Sequence, residues 1–222
     1  MGIKNMKISA HQPAYLPWLG YLDKIKSCDV FVYMDSVQFQ KNSFINRNLI
    51  KTANGPIWLT IPVKQKGHMS STMLELQLDN SKLWNRKHLS AIEMNYRKAK
   101  RFEEIFPKLE KLYQTQYDLL IDLCWDHLQF WLNELDIKTK IVKLSSMNLT
   151  SYKSDLVLDM CKHLHATHYF SGARGIDYLN EESFQKENIV IEYQAYQHVV
   201  YPQLYGEFVP NLGVVDYLMN GL

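Results

Sequence analysis

The chain has 222 residues, of which 46% are hydrophobic and 22% are charged, so it holds enough apolar material for a buried core. Its formal net charge is only +2 and it has no long run of lysine and arginine, so we expect no DNA-binding surface. No apolar window is long enough to span a membrane, and the three cysteines lack CxxC spacing. We therefore expect a cytoplasmic protein with reduced thiols.

The N-terminal part of the chain predicts a strand, a helix and a second strand. The strand over residues 6–10 is expected to end before Pro13, because proline has no backbone donor. Residues 15–27 carry apolar side chains at helical spacing. Residues 29–34 are almost all apolar, which is typical of a strand buried on both faces of a parallel sheet. Together these elements predict a βαβ unit.

The middle of the chain predicts a change from strands to helices. Residues 38–51 are polar and are expected to be irregular, residues 57–63 predict a third strand, and residues 73–78 a possible further strand. A helical block follows over about residues 82–135. Within it, Pro107 is expected to open a new helix, because proline fits best in the first helical turn.

The last third of the chain returns to alternating strands and helices. A short final helix is expected at residues 214–219, and the predicted strands are residues 140–144, 168–170 and 189–193. Strands that alternate with helices at these lengths predict a mostly parallel, doubly wound α/β sheet. We expect a single domain over residues 1–222, with the helical block as an insertion.

Polar residues follow the predicted strands, where open α/β sheets bind their ligands. The first group lies in the turn after the first strand and contains His11, Gln12, Tyr15 and Trp18. A histidine held in a proline-stiffened turn before a helix can direct its imidazole and nearby backbone N–H groups toward an anion. The alternative is that His11 only caps the helix.

The second group follows the second strand and combines amides, a carboxylate and two cations. Such a set suits a hydroxylated ligand that carries phosphate, with a guanidinium as a bidentate donor and an ammonium as a point charge. A solvated loop would explain the same composition equally well. The members are Asp35, Gln38, Lys41, Asn46, Arg47 and Asn48.

The third group is a glycine-containing turn after the strand at residues 168–170. Gly172, Arg174 and Tyr178 could let backbone amides approach a phosphate, although a plain tight turn is at least as good an explanation. Farther on, His198 could supply a second imidazole, with a core or loop position as the alternative. We expect no metal, because no carboxylate stands at a suitable spacing from the histidines His163, His165 and His168.

The sequence over residues 11–21, His-Gln-Pro-Ala-Tyr-Leu-Pro-Trp-Leu-Gly-Tyr, resembles the opening signature of the WbqC-like protein family. The second group of polar residues resembles the same family. Near the C-terminal end the resemblance continues through Ser171-Gly172, Tyr178, Tyr201-Pro202-Gln203, Phe208, Pro210 and Val215-Asp216.

The resemblance implies a function in O-antigen or other surface-polysaccharide biosynthesis. Members of the family are associated with such gene clusters, and a glycine transferase role has been suggested for some. The implied reaction moves an aminoacyl, possibly glycyl, or acyl group onto an amino-sugar nucleotide. In that reaction His11 or His198 would be the base, Gln12 or Asn46 an oxyanion donor, and Lys41 and Arg47 would hold the diphosphate. Tyr201 and Gln203 join the residues expected to bind substrate.

Two alternatives stay open at this stage. The N-terminal strand, His-Pro turn and helix also resemble the HUP nucleotide-binding superfamily, which implies an ATP-dependent ligase or nucleotidyltransferase. That superfamily has a second histidine two or three residues after the first, where this chain has Gln12-Pro13-Ala14. ATP is thus a possible cofactor. The third alternative is a non-catalytic subunit of a polysaccharide assembly complex.

Overall fold

A computed structural model describes residues 5–40, 43–64 and 72–221. The strands in this part of the chain are β1 (Lys7–His11), β2 (Val30–Tyr33), β3 (Arg47–Thr52), β4 (Gly55–Thr60), β5 (Lys140–Lys143), β6 (His168–Ser171) and β7 (Val190–Tyr193). The α-helices in it are α1 (Leu19–Lys26), α2 (Trp84–Tyr96), α3 (Phe102–Gln114), α4 (Leu120–Glu134), α5 (Lys153–His163), α6 (Glu181–Lys186) and α7 (Val214–Asn220).

The main sheet has the strand order β5-β2-β1-β6-β7, and every neighbouring pair is parallel. Counted along the chain, its strands therefore lie in the order 3-2-1-4-5. The predicted βαβ unit is confirmed as β1, α1 and β2, with Ile8 opposite Val30 and His11 opposite Tyr33. The predicted mostly parallel α/β sheet is thus confirmed, and β1 lies at its centre.

Both faces of the sheet are covered, because successive side chains of a strand point to opposite faces. Phe31 and Tyr33 of β2 pack in a core that contains residues of α1, the three helices α2, α3 and α4, and α7. Val30 and Val32 pack on the other face in a second core, with Leu156 and other residues of α5. The sheet is therefore doubly wound, as the sequence predicts.

The β3–β4 hairpin differs from the prediction for this region. β3 and β4 pair antiparallel as a separate two-stranded sheet, and Gly55 supplies the positive φ of 100° next to the turn. The expectation of irregular structure over residues 38–51 was therefore wrong for residues 47–51, which belong to β3. The strand expected over residues 57–63 is confirmed in part as β4, but β4 pairs with β3 and not with the main sheet. The sequence did not predict β3 because this strand contains polar residues. One of them, Asn48, is buried, and backbone groups satisfy the hydrogen bonds of its amide.

The helical block over residues 82–135 is confirmed as α2, α3 and α4. The possible strand over residues 73–78 was wrong, since this segment is one 3₁₀ turn at Met73–Glu75 with isolated bridges. Pro107 lies inside α3 and does not open a helix. The carbonyl that loses its partner there belongs to Glu103, an exposed residue that water can reach. None of the described helices has the length and apolar character needed to cross a membrane.

Candidate functional site

The crevice between β1 and β6 is where the strand order of the main sheet reverses. From β1 the chain winds through β2 to β5 on one side of the sheet, and it returns through β6 to β7 on the other side. In open parallel sheets, ligands bind at the carboxyl ends of the strands on either side of such a reversal. His11 is the last residue of β1 and Ser171 the last of β6. The candidate site therefore consists of the turns that follow these two residues.

His11 is half-buried against α1 and the turn that precedes it. Its ring meets those of Tyr21 and Trp18 edge to face, with centroid distances of 4.9 and 5.6 Å. Nδ1 lies 2.9 Å from the carbonyl oxygen of Gln12. A carbonyl can only accept, so Nδ1 must carry the proton in this bond. The lone pair therefore remains on Nε2, the nitrogen that can take a proton from a ligand.

The imidazole of His11 is neutral at physiological pH. Burial, and after it the positive charge of Lys24, lower its pKa from 6.5 to about 3, although the bond to Gln12 opposes both effects. Because its ring is neutral and its tautomer is fixed, His11 can act as a proton acceptor.

Lys24 borders the candidate site, although it was not among the residues predicted from the sequence. Its side chain comes from α1 and is only 4% exposed, and its Nζ donates to the carbonyl oxygen of Ala10 at 2.7 Å. Burial lowers the pKa of this ammonium to about 8. A signal was present in the sequence: Lys24 lies three residues after Tyr21 and four before Cys28, and both of these are buried. That spacing places the lysine on the buried face of the helix.

Lys24 occupies the point where β1 and β6 separate. The ladder between the two strands ends at the pair Ser9 and Phe170, so the carbonyl of Ala10 has no partner in β6. The Lys24 ammonium donates a hydrogen bond to that carbonyl instead. A Cβ added to Gly172 would lie 3.7 Å from Lys24 Nζ, so the turn after β6 also borders this cation.

A row of aromatic rings leads from His11 to the β3–β4 hairpin. Trp18 lies 5.1 Å from Phe44, and Phe44 lies 5.8 Å from Trp58, measured between ring centroids. The guanidinium carbon of Arg47 stands 4.3 Å from the centroid of Trp58, a cation–π arrangement. Phe44 and Trp58 are 39% and 45% exposed, so these rings form an accessible wall.

The segment after β7 packs against α1. Gln194 Nε2 donates to the carbonyl of Gly20 at 2.9 Å and to Asp23 Oδ2 at 2.8 Å. Gly20 is tightly packed, because a Cβ there would lie 3.0 Å from Tyr196 and 3.1 Å from Trp18. His198 packs on Tyr196 with ring centroids 5.0 Å apart. Tyr196 and Trp18 therefore both approach Gly20, and His198 lies beside this pair of rings.

Residues 12–221 match the sequence model of the WbqC-like protein family. The chain belongs to this family. The uncharacterized protein Rv1507c of Mycobacterium tuberculosis is 33% identical over 218 residues, which are 96% of this chain and 93% of the relative. No solved structure matches the chain.

Several residues of the WbqC-like signature support the site from outside it. Tyr15 is fully buried, and its hydroxyl bonds with Tyr113 and with His88 Nδ1 in the core. Asn48 donates to the carbonyl of Leu16 and thereby holds the turn after β1. Asn46 is also buried and donates to Ile61 at 2.8 Å. The structure therefore does not bring Tyr15, Asn46 or Asn48 to an accessible surface beside His11.

The residues after β2 of this WbqC-like chain are divided between different surroundings. Asp35 is 1% exposed and accepts from the N–H and hydroxyl of Ser145, at 2.9 and 2.6 Å, so it ties the end of β2 to the end of β5. Gln38 is exposed and forms an isolated bridge with Thr72. Lys41 lies outside the described residues. Of the second predicted group, Arg47 alone among the described members is shown beside the aromatic row.

The turn after β6 is tight for a reason other than phosphate binding. A Cβ on Gly175 would lie 1.9 Å from the hydroxyl oxygen of Ser171, so this glycine makes room for a buried serine. The side chain of Arg174 is 96% exposed and reaches Asp177 only at 3.8 Å. Tyr178 is 49% exposed. Gly172 therefore borders the crevice, whereas Arg174 extends into solvent.

The C-terminal signature of the WbqC-like family forms a buried polar network around Asp216. Tyr201 donates to one carboxylate oxygen at 2.8 Å and Tyr96 to the other at 2.7 Å. Gln203 accepts from Lys51 Nζ at 3.1 Å and binds both backbone polar groups of Val209. This network fastens the last segment of the chain to β3 and α7, so Tyr201 and Gln203 are structural here.

The described residues around the candidate site are suited to bind anions rather than metal ions. Within the described ranges, no group of three His, Cys, Asp or Glu side chains is placed to hold a metal ion. Two cations border the candidate site: Lys24 at the end of β1, and Arg47 at the far end of the aromatic row. A cavity of about 390 Å³ lies on the other side of the sheet's length, at the amino-terminal ends of the strands. Lys7, Asp29 and Glu192 line it.

Proposed function

We propose that the protein is a transferase that forms an amide by moving an aminoacyl or acyl group onto an amino-sugar nucleotide. The observation that carries the proposal is the state of His11. This imidazole is neutral, its Nδ1–H is fixed on Gln12, and its Nε2 lone pair lies at the carboxyl end of β1. Membership of the WbqC-like family supports the same reaction class, since the family resemblance implies it.

The chemistry requires a base and a group that stabilises negative charge. The amine of the sugar attacks the acyl carbonyl, the new C–N bond forms, and the bond to the acyl carrier breaks. His11 Nε2 takes the proton that the attacking amine loses and returns it to the leaving group. The side-chain amide of Gln12, adjacent to His11, is the proposed donor to the oxyanion. His198, which packs on Tyr196, is the alternative base.

The low pKa of His11 makes it a weak base in the free chain. Burial is the main cause and the charge of Lys24 the second. An anionic substrate group beside Lys24 would offset the second cause and raise the pKa of His11 part of the way toward its ordinary value. Substrate binding would thus activate the base.

The aromatic row offers a binding surface for the rest of the substrate. Trp18, Phe44 and Trp58 present ring faces and edges that suit a sugar ring or a nucleobase. Arg47, over Trp58, supplies a guanidinium that can bind phosphate in a bidentate manner. This row gives specificity, whereas His11 gives the proton transfer.

A specific observation also favours a second candidate, an ATP-dependent ligase or nucleotidyltransferase. The strand order 3-2-1-4-5 is shared with nucleotide-binding doubly wound sheets, and Lys24 places a cation at the reversal point. Such an enzyme would activate the acyl group with ATP before the same amine attacks. Binding of ATP, in addition to a nucleotide sugar, distinguishes this candidate from the simple transferase.

The test is a mass-spectrometric screen of UDP- and dTDP-linked sugars and ATP, followed by turnover of the bound pair with an acyl donor. Replacement of His11 by Ala should lower turnover by about two to four orders of magnitude while the nucleotide sugar still binds. The control is His163→Ala, which changes an exposed histidine at the end of α5. Turnover that is unchanged in His11→Ala would remove His11 as the base, and binding of no ligand at all would favour a non-catalytic subunit.

A further inference from the structure

Lys24 is a buried cation without an anionic partner in the protein. It is 4% exposed, and within the described part of the chain no carboxylate lies within ion-pair distance of its Nζ. Its hydrogen bond is to a neutral carbonyl, that of Ala10. Burial of an ionised ammonium costs free energy unless an opposite charge balances it. The fold therefore keeps a charge here at a cost to stability.

The position of this charge is as informative as its burial. Nζ sits where the β1–β6 ladder ends and beside the chain at Gly172, and its charge is close enough to His11 to lower the pKa of that imidazole. Gly172 has no side chain that could fill the space near the ammonium. A Cβ added there would still lie 3.7 Å from Lys24 Nζ, so the turn leaves room beside the ammonium at the carboxyl ends of the strands, where a ligand of a parallel sheet is expected.

We propose that Lys24 is the binding residue for an oxyanion group of the ligand, a phosphate or a carboxylate, held in the crevice between β1 and β6. The anion completes the charge pair that the protein leaves open, and it bridges Lys24 to the turn at Gly172. It lies next to Nε2 of His11, so the same contact fixes the ligand relative to the base. This inference rests on the proposed location of the site but does not need turnover to be measured.

The experiment is calorimetric titration of the full chain with pyrophosphate and, separately, with acetate, which distinguishes phosphate from carboxylate as the preferred group. We expect the wild-type chain to bind at least one of the two, and Lys24→Met to weaken that binding at least tenfold. The matched control is Lys26→Met, two residues away on the same helix and exposed. Equal affinity in Lys24→Met and the wild type, or no binding of either anion to the wild type, would overturn the inference.

A second measurement uses the wild-type chain alone, and it therefore holds even where Lys24→Met folds poorly. In an NMR titration of ¹³C-labelled lysine, the pKa of Lys24 should be near 8 in the free chain. Saturating pyrophosphate or acetate should raise that pKa by at least one pH unit, which corresponds to a tenfold preference of the anion for the charged form. A pKa that stays the same with both anions contradicts the inference. If anion binding is confirmed while His11→Ala leaves turnover unchanged, the proposed reaction fails and the anion site stands.

Discussion

At the scale of single residues, burial alone does not identify a functional histidine. His11 and His127 are both neutral, because burial lowers the pKa of each to about 3. His11 has one nitrogen fixed on a carbonyl and lies at the carboxyl edge of the sheet. His127 is 1% exposed in the core, and neither of its nitrogens has a hydrogen-bond partner among the described residues. The first arrangement suits proton transfer and the second only packing.

Replacement of His127 by Phe should raise the free energy of unfolding by about 1–2 kcal/mol, because it removes two unsatisfied nitrogen atoms from the core. The ring neighbours Tyr113 and Trp131 remain to pack against the new side chain. Urea denaturation at pH 7 measures the change. The exposed His163 provides the control, since His163→Phe should leave the free energy nearly unchanged. A loss of stability in His127→Phe would mean that the imidazole has a partner after all.

The same substitution should change the pH dependence of stability. Burial depresses the pKa of His127 in the folded chain to about 3, whereas in the unfolded chain it is near 6.5. Between these values the unfolded chain binds the extra proton, so stability falls as the pH falls from about 6.5 toward 3. Each such histidine contributes a slope of up to about 1.4 kcal/mol per pH unit. In His127→Phe this slope should be smaller, and an identical acid dependence would refute the assignment.

At the scale of the elements, the sequence predicted those whose apolar pattern is simple. The unit β1–α1–β2 and the helices α2–α4 were predictable because their periodicity is strong. β3 was not, because it is rich in polar residues whose partners become visible only in three dimensions, as with Asn48 and the carbonyl of Leu16. For the same reason Tyr15 was assigned to the ligand, although it bonds in the core with His88.

The last segment of the chain shows how a motif can be structural. Tyr201→Phe removes one of the two hydroxyl donors to the buried Asp216 and should lower the free energy of unfolding by about 1–3 kcal/mol. Chemical denaturation measures the loss. Tyr152→Phe, at an 80% exposed position, is the control and should cost little. If instead Tyr201→Phe keeps full stability and abolishes ligand binding, Tyr201 belongs to the ligand site.

At the scale of the whole molecule, the strand order joins parts of the chain that are distant in sequence. β1 and β6 are separated by more than 150 residues, yet their ends form the two walls of one crevice. The sequence predicted that polar residues after the strands would converge there. In the structure His11 ends β1 and Gly172 follows β6, whereas Asp35 is bound to Ser145 and Arg174 is in solvent. Lys24 was missed because a charged residue in a helix is ordinarily assigned to the surface.

The central claim is that ligands bind in the crevice between β1 and β6, beside His11 and Lys24. The most direct test is a crystal structure of the protein soaked with a UDP-linked amino sugar. We predict that a diphosphate oxygen will lie within hydrogen-bond distance of Lys24 Nζ, and the amine within reach of His11 Nε2. An ordered ligand in the cavity lined by Lys7, Asp29 and Glu192, with the crevice empty, would contradict this account.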